Sequence, residues 1–299
     1  MRVQTTTRED VAACFRLLLG RELTAAESAG HLGFVGAPLH SVVSAYLQSL
    51  EFRNRGLLQP SMEAEIVNLG DFSIYVAKDD ALIAPGIRAG YEPEVTRVFL
   101  EYLARGYVLD IGANCGYFSL LAASRGAHVY AIEPLQRNLR LLHASVALNR
   151  FEGIRIIAAA ASDSFRALTI GASYTNGIVN EPRKDPQAAL AAEYVAAVPV
   201  DHVVPGDELV SIIKIDVEGH EYRALAGASR TIRKHRPVII SEFAPAGLRA
   251  NSGRSGEEYL QLLRNHGYDV SVIGCHGANP IDAVHASGAD HVDLLAVPR

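Results

Sequence analysis

Cysteine is scarce in this sequence. Its 299 residues include three cysteines, Cys14, Cys115 and Cys275, which lie far apart and form no CxxC pair. An odd and scattered set of this kind excludes a disulfide framework and predicts a reducing compartment. With 49% hydrophobic and 20% charged residues, the composition is that of a globular chain that can bury a core without disulfides.

The sequence also lacks an excess of positive charge and long apolar runs. Lys and Arg number 28 against 33 Asp and Glu, which gives a net charge of -5. Because a phosphate backbone or an anionic lipid surface would meet no general basic field, we predict no nucleic-acid partner. No apolar run approaches the ~20 residues that span a bilayer, and the N-terminus has no signal-peptide core. We therefore expect a cytoplasmic protein without a membrane span.

Residues 1–58 predict a small helical domain. Thr7 with Asp10, and Thr24 with Glu27, have the spacing of capping boxes ahead of apolar runs, and a third helical pattern covers 39–52. The segments FRLLLGREL and SLEFRNR resemble a short helical domain of unknown function that is attached to bacterial enzymes of surface-glycan synthesis. The alternative is an amphipathic cap or a dimerisation element, which would make the protein a homo-oligomer through these helices.

Residues 63–299 predict an α/β domain, which starts with a hairpin at 65–76. Seven further strands are predicted, at 107–111, 128–132, 154–160, 211–215, 238–241, 268–273 and 292–297. Helices are predicted at 117–124, 135–148, 188–197, 219–235 and 257–265. Strands that alternate with helices indicate a parallel sheet covered on both faces, with an antiparallel pair at its end. Ligands of such sheets bind beyond the carboxyl ends of the strands.

The first of these strand ends carries the sequence GANCG. Asp110 closes the strand, and Gly112, Asn114 and Gly116 follow in the turn. A dinucleotide fingerprint would be GxGxxG, with room for a pyrophosphate at the helix N-terminus. Because Asn114 replaces the second glycine, a nicotinamide cofactor is disfavoured.

Carboxylates also close the next two predicted strands. Glu133 lies 21 positions after Gly112, where a carboxylate commonly accepts hydrogen bonds from a ribose, and Asp163 follows the third strand. Together with Asp110, these groups would repel a polyphosphate. They suit a ligand that has an ammonium, a sulfonium, a ribose diol and an adenine amine. S-adenosylmethionine has all four.

The segments VLDIGANCGYFSLLAA, YAIEPLQRNLRLLHASVALN, AAAASD, VPVDH, IIKIDVEGHEYRALAGA and RPVIISEF follow one another along the chain. In this order and spacing they resemble the FkbM family of S-adenosylmethionine-dependent methyltransferases, and GYEPEVTRVF resembles the family's lead-in to the first strand. The resemblance covers 63–299. It implies a class I methyltransferase fold, which is a Rossmann-like α/β domain with a seven-stranded, mostly parallel sheet and an antiparallel last hairpin. It also implies methylation of a hydroxyl oxygen on a sugar or small natural product.

The resemblance further implies roles for individual residues in binding S-adenosylmethionine. It implies that the methionine end is bound by Asp110, Gly112, Asn114 and Gly116. The ribose would be bound by Glu133, the adenine by Ser162 and Asp163, and the ammonium group by Glu92 and Glu94. The alternative for each carboxylate is a helix cap or a solvated loop position.

A hydroxyl acceptor must lose its proton, to a general base or with the help of a metal. Asp216, Glu218, His220 and Glu221 follow the fourth strand of the sheet and Glu242 ends the fifth. We predict catalytic roles for Asp216, His220, Glu221 and Glu242, with His220 or Glu221 favoured as the base. Asp216, Glu218 and Glu242 offer the oxygen ligands that Mg²⁺ prefers, so a Mg²⁺ cofactor is an alternative. These side chains could instead stabilise the N-terminus of the next helix.

Some residues invite other interpretations. Cys115 has no evident histidine partner and is predicted to pack, while Tyr174 and Asn176 lie in the long insert where an acceptor could bind. Four C-terminal histidines match no zinc-binding spacing and are predicted loop residues: His266, His276, His285 and His291. Three alternatives to an O-methyltransferase stay open, namely an N-methyltransferase, an NAD(P)-linked oxidoreductase and a non-catalytic scaffold.

Overall fold

The computed structural model describes residues 4–54, 62–104, 106–173, 176–182, 185–275, 280, 282 and 291–299. The chain divides into two compact units, Met1–Glu63 and Ala64–Arg299. Within the described ranges, no helix combines the length and the apolar character that crossing a bilayer requires.

The described part of the N-terminal unit contains helices α1 Arg8–Leu18, α2 Ala25–His31, α3 Leu39–Gln48 and α4 Leu50–Asn54. Both predicted capping boxes are present, at the starts of α1 and α2. The predicted helix 39–52 is divided because Ser49 takes an extended conformation and its Oγ accepts a hydrogen bond from the Phe52 N–H at 3.1 Å. Arg21 joins α2 to α4 through Glu27 and Glu51, at 2.7 Å from each carboxylate.

The second unit opens with the antiparallel hairpin β1 Ala64–Asn68 and β2 Ser73–Ala77, followed by helices α5 Ile83–Ala89 and α6 Pro93–Tyr102. The later strands are β3 Tyr107–Ile111, β4 His128–Ile132, β5 Ile154–Ile157, β6 Ala160–Ser162, β7 Arg166–Ser173, β8 Asn176–Asn180, β9 Glu193–Pro199, β10 Val210–Ile215, β11 Val238–Phe243, β12 Tyr268–Val272 and β13 Val292–Pro298. The later helices are α7 Tyr117–Ser124, α8 Gln136–Asn149, α9 Pro186–Ala191, α10 Val200–Val203, α11 Glu221–Gly227, α12 Ser229–His235, α13 Pro245–Gly247 and α14 Gly256–Asn265, with a π-helical turn at Leu248–Ser252.

The main sheet has seven strands in the order β12-β13-β11-β10-β3-β4-β5. Strands β11, β10, β3, β4 and β5 are parallel, while β13 is antiparallel to both β11 and β12. The predicted sheet and its antiparallel last pair are therefore confirmed. Val108, Leu109 and Ile213 in the central strands are fully buried, as expected where helices cover both faces of a parallel sheet.

A second sheet, with four strands in the order β6-β9-β7-β8, was not predicted. The predicted strand 154–160 ends at Ile157, where a turn closes through the Ala159 N–H and the Ile157 carbonyl at 3.0 Å. Strand β6 then pairs with β9, so Asp163 follows a strand of the second sheet rather than the third strand of the main one. The predicted helix 188–197 was largely wrong, because α9 ends at Ala191 and the run EYVAAVP forms β9.

The predicted helix 219–235 is also divided, into α11 and α12. Asp201 explains the break, because its carboxylate accepts hydrogen bonds from the N–H groups of Arg230 at 2.7 Å and Thr231 at 2.8 Å. A side chain from another part of the chain thus caps the first turn of α12.

Gly112 lets two strand ends meet. Its φ is +83°, and a Cβ added there would lie 1.7 Å from the carbonyl oxygen of Asp216, which follows β10. The glycine therefore makes room for the protein's own backbone, and the approach brings the loops after β3 and β10 together.

Replacing Gly112 by alanine should cost more stability than the same change at Gly126. Gly126 has a similar φ of +81° but nothing within 4 Å of an added Cβ, so Gly126→Ala should cost only the backbone strain, about 1–2 kcal/mol. Gly112→Ala adds a clash with a backbone atom, and we expect a loss of about 3 kcal/mol or more, or a failure to fold. Urea unfolding of both variants measures the difference, and equal losses would contradict this account.

Candidate active site

A cavity of about 210 Å³ lies at the carboxyl ends of β3, β4, β10 and β11. Six carboxyl side chains line it: Glu92, Asp110, Glu133, Asp216, Glu218 and Glu242. Eight of the residues predicted as cofactor-binding or catalytic line this cavity: Glu92, Asp110, Gly112, Asn114, Glu133, Asp216, His220 and Glu242.

Asp110 and Asn114 shape the first side of the cavity. Asp110 is 2% exposed, accepts a hydrogen bond from Ser119 Oγ at 2.5 Å, and has its pKa raised by burial. Asn114 takes the left-handed conformation, with φ +52°, and its Oδ1 accepts from the Cys115 N–H at 2.8 Å. Burial raises the pKa of the Cys115 thiol to about 12, which favours packing over nucleophilic chemistry.

Glu133 joins the loop after β3 to the loop after β4. Its Oε2 accepts from the Asn114 N–H at 2.9 Å and its Oε1 from the Leu135 N–H at 2.8 Å. Burial raises its pKa to about 7 despite these hydrogen bonds. The carboxylate faces the cavity with its position already fixed, as a ribose ligand would require, and its ribose role stays a prediction.

Lys214 is a cavity residue that sequence reasoning missed. Its Nζ lies 3.0 Å from Asp216 Oδ2 and 5.0 Å from the centre of the Phe118 ring. Burial lowers the pKa of Lys214, but the carboxylates of Asp216, Glu92 and Asp293 outweigh burial, and the pKa is raised. Lys214 is therefore a permanent cation inside the sheet. A lysine within the apolar strand IIKI was the signal that could have identified it.

The two glutamates of the sequence YEPE have separate positions. Glu92 precedes α6 with φ +41°, lines the cavity, and has an Oε2 atom that is buried without a partner among the described residues. Burial raises its pKa. Glu94 is exposed and pairs with Arg97 at 3.2 Å on the surface of α6, so it does not line the cavity.

Glu242 ends β11 at the opposite side of the cavity from the loop after β4. Its Oε1 lies 3.9 Å from His291 Nδ1, and its Oε2 is buried without a partner in the described part of the chain. Burial, and then the charges of Asp216, Glu221 and Glu218, raise its pKa to about 10. His291, predicted as a loop residue, also lines the cavity.

A family model described as the methyltransferase FkbM domain matches residues 110–270, which is more than half of the chain. The chain belongs to the FkbM methyltransferase family. The order of the main sheet, with its antiparallel seventh strand, is that of class I methyltransferases, so the predicted fold class is confirmed.

Solved structures with similar folds include an FkbM methyltransferase from Methylobacillus flagellatus KT, with a TM-score of 0.45 and 17% identity over 95% of this chain and 58% of that one. Magnesium protoporphyrin IX methyltransferase from Synechocystis PCC 6803, with bound S-adenosylmethionine, has a TM-score of 0.42 and 15% identity over 87% of this chain and 96% of that one. Fibrillarin from Aeropyrum pernix, with natively bound S-adenosylmethionine, has a TM-score of 0.39 and 16% identity over 66% and 68%. This chain thus spans 58% of the length of the FkbM structure. No curated protein matches it significantly.

The residues of this FkbM chain do not form the predicted Mg²⁺ site. Asp216, Glu218 and Glu242 all line the cavity, but Asp216 already pairs with the ammonium group of Lys214 at 3.0 Å. No group of three or more His, Cys, Asp or Glu residues suited to a metal occurs in the described ranges.

Ser162 and Asp163 lie behind the cavity and do not line it. Asp163 pairs with Arg166 and Arg223, each at 3.0 Å. Burial raises the pKa of Asp163, but these arginines outweigh it, so the pKa is lowered. Ser162 is fully buried, with its Oγ 3.3 Å from His220 Nε2. Their predicted role at the adenine gains no support from this placement and stays a prediction.

Glu221 and His220 are poor candidates for the base. Glu221 is fully buried and does not line the cavity, and its Oε1 accepts from the N–H groups of Val217 at 3.1 Å and Gly219 at 3.0 Å. It therefore positions the loop after β10. Burial, then the charges of Arg223 and Arg166, lower the pKa of His220 to about 4, which makes it a weak base.

Three residues of the sequence interpretation, Tyr174, His276 and His285, lie outside the described residues. Asn176 begins β8, and Gly177 and Val179 of the same strand line the cavity. The insert between β5 and β10 therefore contributes one wall of the site.

Replacing Glu221 by glutamine should make folding less sensitive to pH. Burial raises the pKa of Glu221 from its ordinary value of 4.5 to about 7. Between these two pH values the folded protein keeps a proton on Glu221, whereas the unfolded chain has released it. Stability from this group is therefore lost as the pH rises from about 5 to about 7. Glutamine does not titrate, and it keeps an oxygen for the N–H groups of Val217 and Gly219. The free energy of unfolding of Glu221→Gln, taken relative to that of wild type, should therefore be about 1–3 kcal/mol higher at pH 8 than at pH 5.

Urea unfolding at the two pH values measures this gain. Glu258→Gln is the control, because the backbone hydrogen bond at Ser255 and the ion pair with Arg254 lower the pKa of Glu258 to about 2. Glu258 stays ionised in both states above pH 5, so its replacement should shift both measurements equally. A pH dependence that is the same in wild type and Glu221→Gln would contradict the burial of a titrating carboxyl.

Proposed function

We propose that this protein methylates a hydroxyl oxygen of a sugar or another small natural product with S-adenosylmethionine. The observation that carries the proposal is that one cavity holds both Glu133, whose carboxylate is fixed by two backbone N–H groups, and Glu242, whose buried Oε2 has no partner among the residues that the structure describes. The first suits a ribose, and the second suits a proton acceptor for a hydroxyl group. Membership of the FkbM family supports methyl transfer as the reaction class.

The residues of the cavity fit the cofactor. Glu92 Oε2 is an acceptor that lacks a partner within the described residues, and an ammonium group would satisfy it. We assign the ribose to Glu133, and Gly112 and Asn114 of the glycine loop line the same cavity. When bound, S-adenosylmethionine supplies a methyl group made electrophilic by its sulfonium.

The protein's own chemical task is to remove the hydroxyl proton and to align the acceptor. We assign proton removal to Glu242 Oε2, which would take the proton while the hydroxyl oxygen bonds to the methyl carbon and the methyl–sulfur bond breaks, its electron pair leaving on sulfur as a neutral thioether. A pKa near 10 makes Glu242 a stronger base than an ordinary carboxylate, although it holds a proton at neutral pH in the free protein. A positive charge nearby favours its ionised form, which would prepare the base when a cationic ligand enters.

Calorimetric titration tests the reaction class before any acceptor is known. We expect S-adenosylmethionine and S-adenosylhomocysteine to bind with micromolar affinity, with no requirement for Mg²⁺, and NAD(P)H not to bind. Binding of NAD(P)H alone would favour the oxidoreductase alternative. Binding of none of these compounds would favour the non-catalytic scaffold.

Replacing Glu242 by glutamine tests the base. We expect kcat to fall by about 10²–10⁴-fold, with S-adenosylhomocysteine affinity unchanged, because glutamine cannot accept the proton. In wild type, kcat/KM should rise with pH as Glu242 ionises, and this rise should be absent from the residual activity of the variant. Glu94→Gln, at an exposed position on α6, is the matched control and should behave as wild type.

The acceptor class changes the expected outcome in an informative way. An amine acceptor is methylated with less help from a base, so an N-methyltransferase would keep most of its activity in Glu242→Gln. Wild-type activity of Glu242→Gln on a hydroxyl acceptor would contradict the assignment of Glu242 as the base.

A further inference from the structure

His220 lies between the cavity and two arginines. It is 2% exposed and lines the cavity, and its Nε2 is 3.3 Å from Ser162 Oγ. Arg166 donates a hydrogen bond to the same Ser162 Oγ at 3.0 Å. The three side chains form a chain of hydrogen bonds that ends at the imidazole ring.

The charges behind Ser162 decide which ring nitrogen carries the proton. Arg166 and Arg223 both act on His220, and Arg166 reaches it through Ser162 on the Nε2 side. A cationic field there favours a lone pair on Nε2 rather than an N–H, because the lone pair is the negative end of the ring dipole. The nearby Asp163 opposes this field, but its effect on His220 is smaller than that of either arginine.

The hydroxyl proton of Ser162 has two acceptors within reach. Asp163 Oδ1 is 3.4 Å away and already accepts from Ser164 at 3.2 Å and from Arg166 at 3.0 Å. His220 Nε2 is nearer, at 3.3 Å, and has no other partner in the described chain. Because Ser162 Oγ already accepts from Arg166, donation to His220 completes the chain in one direction.

The other ring nitrogen of His220 is left without a partner. Nδ1 is buried and makes no hydrogen bond within the described residues. Buried polar atoms are nearly always hydrogen-bonded in native proteins, so an orphaned nitrogen on a cavity-lining ring indicates a ligand atom as its partner.

The side of the cavity on which His220 lies indicates which part of the ligand this is. Ala160 and Ala161 directly precede Ser162 and line the cavity. Ala160 belongs to the same buried apolar cluster as Leu135, two residues after Glu133. His220 therefore lies toward the wall to which we assign the ribose.

We propose that His220 is held as the neutral tautomer with its proton on Nδ1, and that this N–H donates a hydrogen bond to the nucleoside part of the cofactor. An adenine ring nitrogen or a ribose oxygen would accept it. This inference rests on the proposed function for its ligand, although the tautomer does not. The low pKa of His220 is consistent with a ring that stays neutral. Ser162 and Arg166 are then positioning residues, which act through His220.

Nitrogen NMR of the ¹⁵N-labelled protein tests the tautomer directly, because protonated and unprotonated ring nitrogens have separate chemical shifts. The His220 signals are assigned by their absence in His220→Gln. We expect Nδ1 to be protonated in the free protein and to shift on addition of S-adenosylhomocysteine or adenosine, but not of L-homocysteine. Ser162→Ala, which removes the donor to Nε2, should lower the population of the Nδ1–H form.

Two substitutions separate the two nitrogens in binding. Asparagine places an amide near the position of Nδ1, and glutamine places one near that of Nε2. We expect His220→Asn to bind S-adenosylhomocysteine within about threefold of wild type, and His220→Gln to bind about 10-fold more weakly. His143→Gln, at an exposed position on α8, should leave affinity and the His220 signals unchanged.

The outcomes distinguish this inference from the proposed function. Protonation of Nε2 in the free protein would overturn the tautomer, whatever the protein binds. Binding of S-adenosylhomocysteine without any change at His220 would overturn the nucleoside contact while leaving the proposed function intact. Failure to bind S-adenosylhomocysteine would overturn the proposed function and the contact that depends on it, whereas the tautomer would still be read from the free protein.

Discussion

Burial of like charges at one end of the main sheet is the constraint on which the rest of this structure depends. The cavity gathers six carboxyl groups, and burial disfavours the ionised forms of four of them, Glu92, Asp110, Glu133 and Glu242. Lys214 offsets part of this cost from inside β10, where it holds Asp216 at 3.0 Å and acts on Glu92 and Asp293. The remaining carboxyls are stabilised either by backbone N–H groups, as at Glu133, or by keeping a proton, as at Glu242.

Glutamates near the ends of neighbouring strands have different roles in this structure. Glu221 is fully buried and Glu242 is partly buried, and burial raises the pKa values of both. Glu221 Oε1 accepts from two backbone N–H groups of its own loop, and the side chain does not line the cavity, although its Oε2 also lacks a partner among the described residues; we therefore regard Glu221 as structural. Glu242 lines the cavity with an oxygen that has no partner in the described part of the chain, so a ligand can reach it. In the sequence, both residues are glutamates near the end of a strand, so residue type and position do not distinguish them. Their roles differ because only Glu242 lines the cavity.

Much of the fold could be predicted because its signals are local. Capping boxes at Thr7 and Thr24 and apolar runs in β3 and β10 depend on neighbouring residues, and the structure has them where the pattern indicates. The second sheet was missed because β6 has three residues and is defined by its partner β9, which is remote in sequence. The division of the helix at 219–235 was missed for the same reason, since Asp201 supplies its cap from outside the segment.

The candidate site shows the same limit. Loop positions such as Asp110 and Glu133 could be placed at strand ends from the sequence, because strand ends meet at one edge of a parallel sheet. Whether a side chain then faces the cavity, as Glu92 does, or solvent, as Glu94 does, depends on the packing of α6 and is not contained in the pattern YEPE.

The wall that β8 contributes has a consequence for how such a site can diversify. Gly177 and Val179 come from an insert with its own sheet, whereas the loops holding Glu133 and Asp110 belong to the main sheet. Substitutions and length changes in the insert can therefore alter the shape of the cavity, although Val179 shares a buried apolar cluster with Leu135, in the loop that holds Glu133. The part of the insert that lies outside this cluster is the part of the cavity wall that can change shape with the least effect on the main sheet.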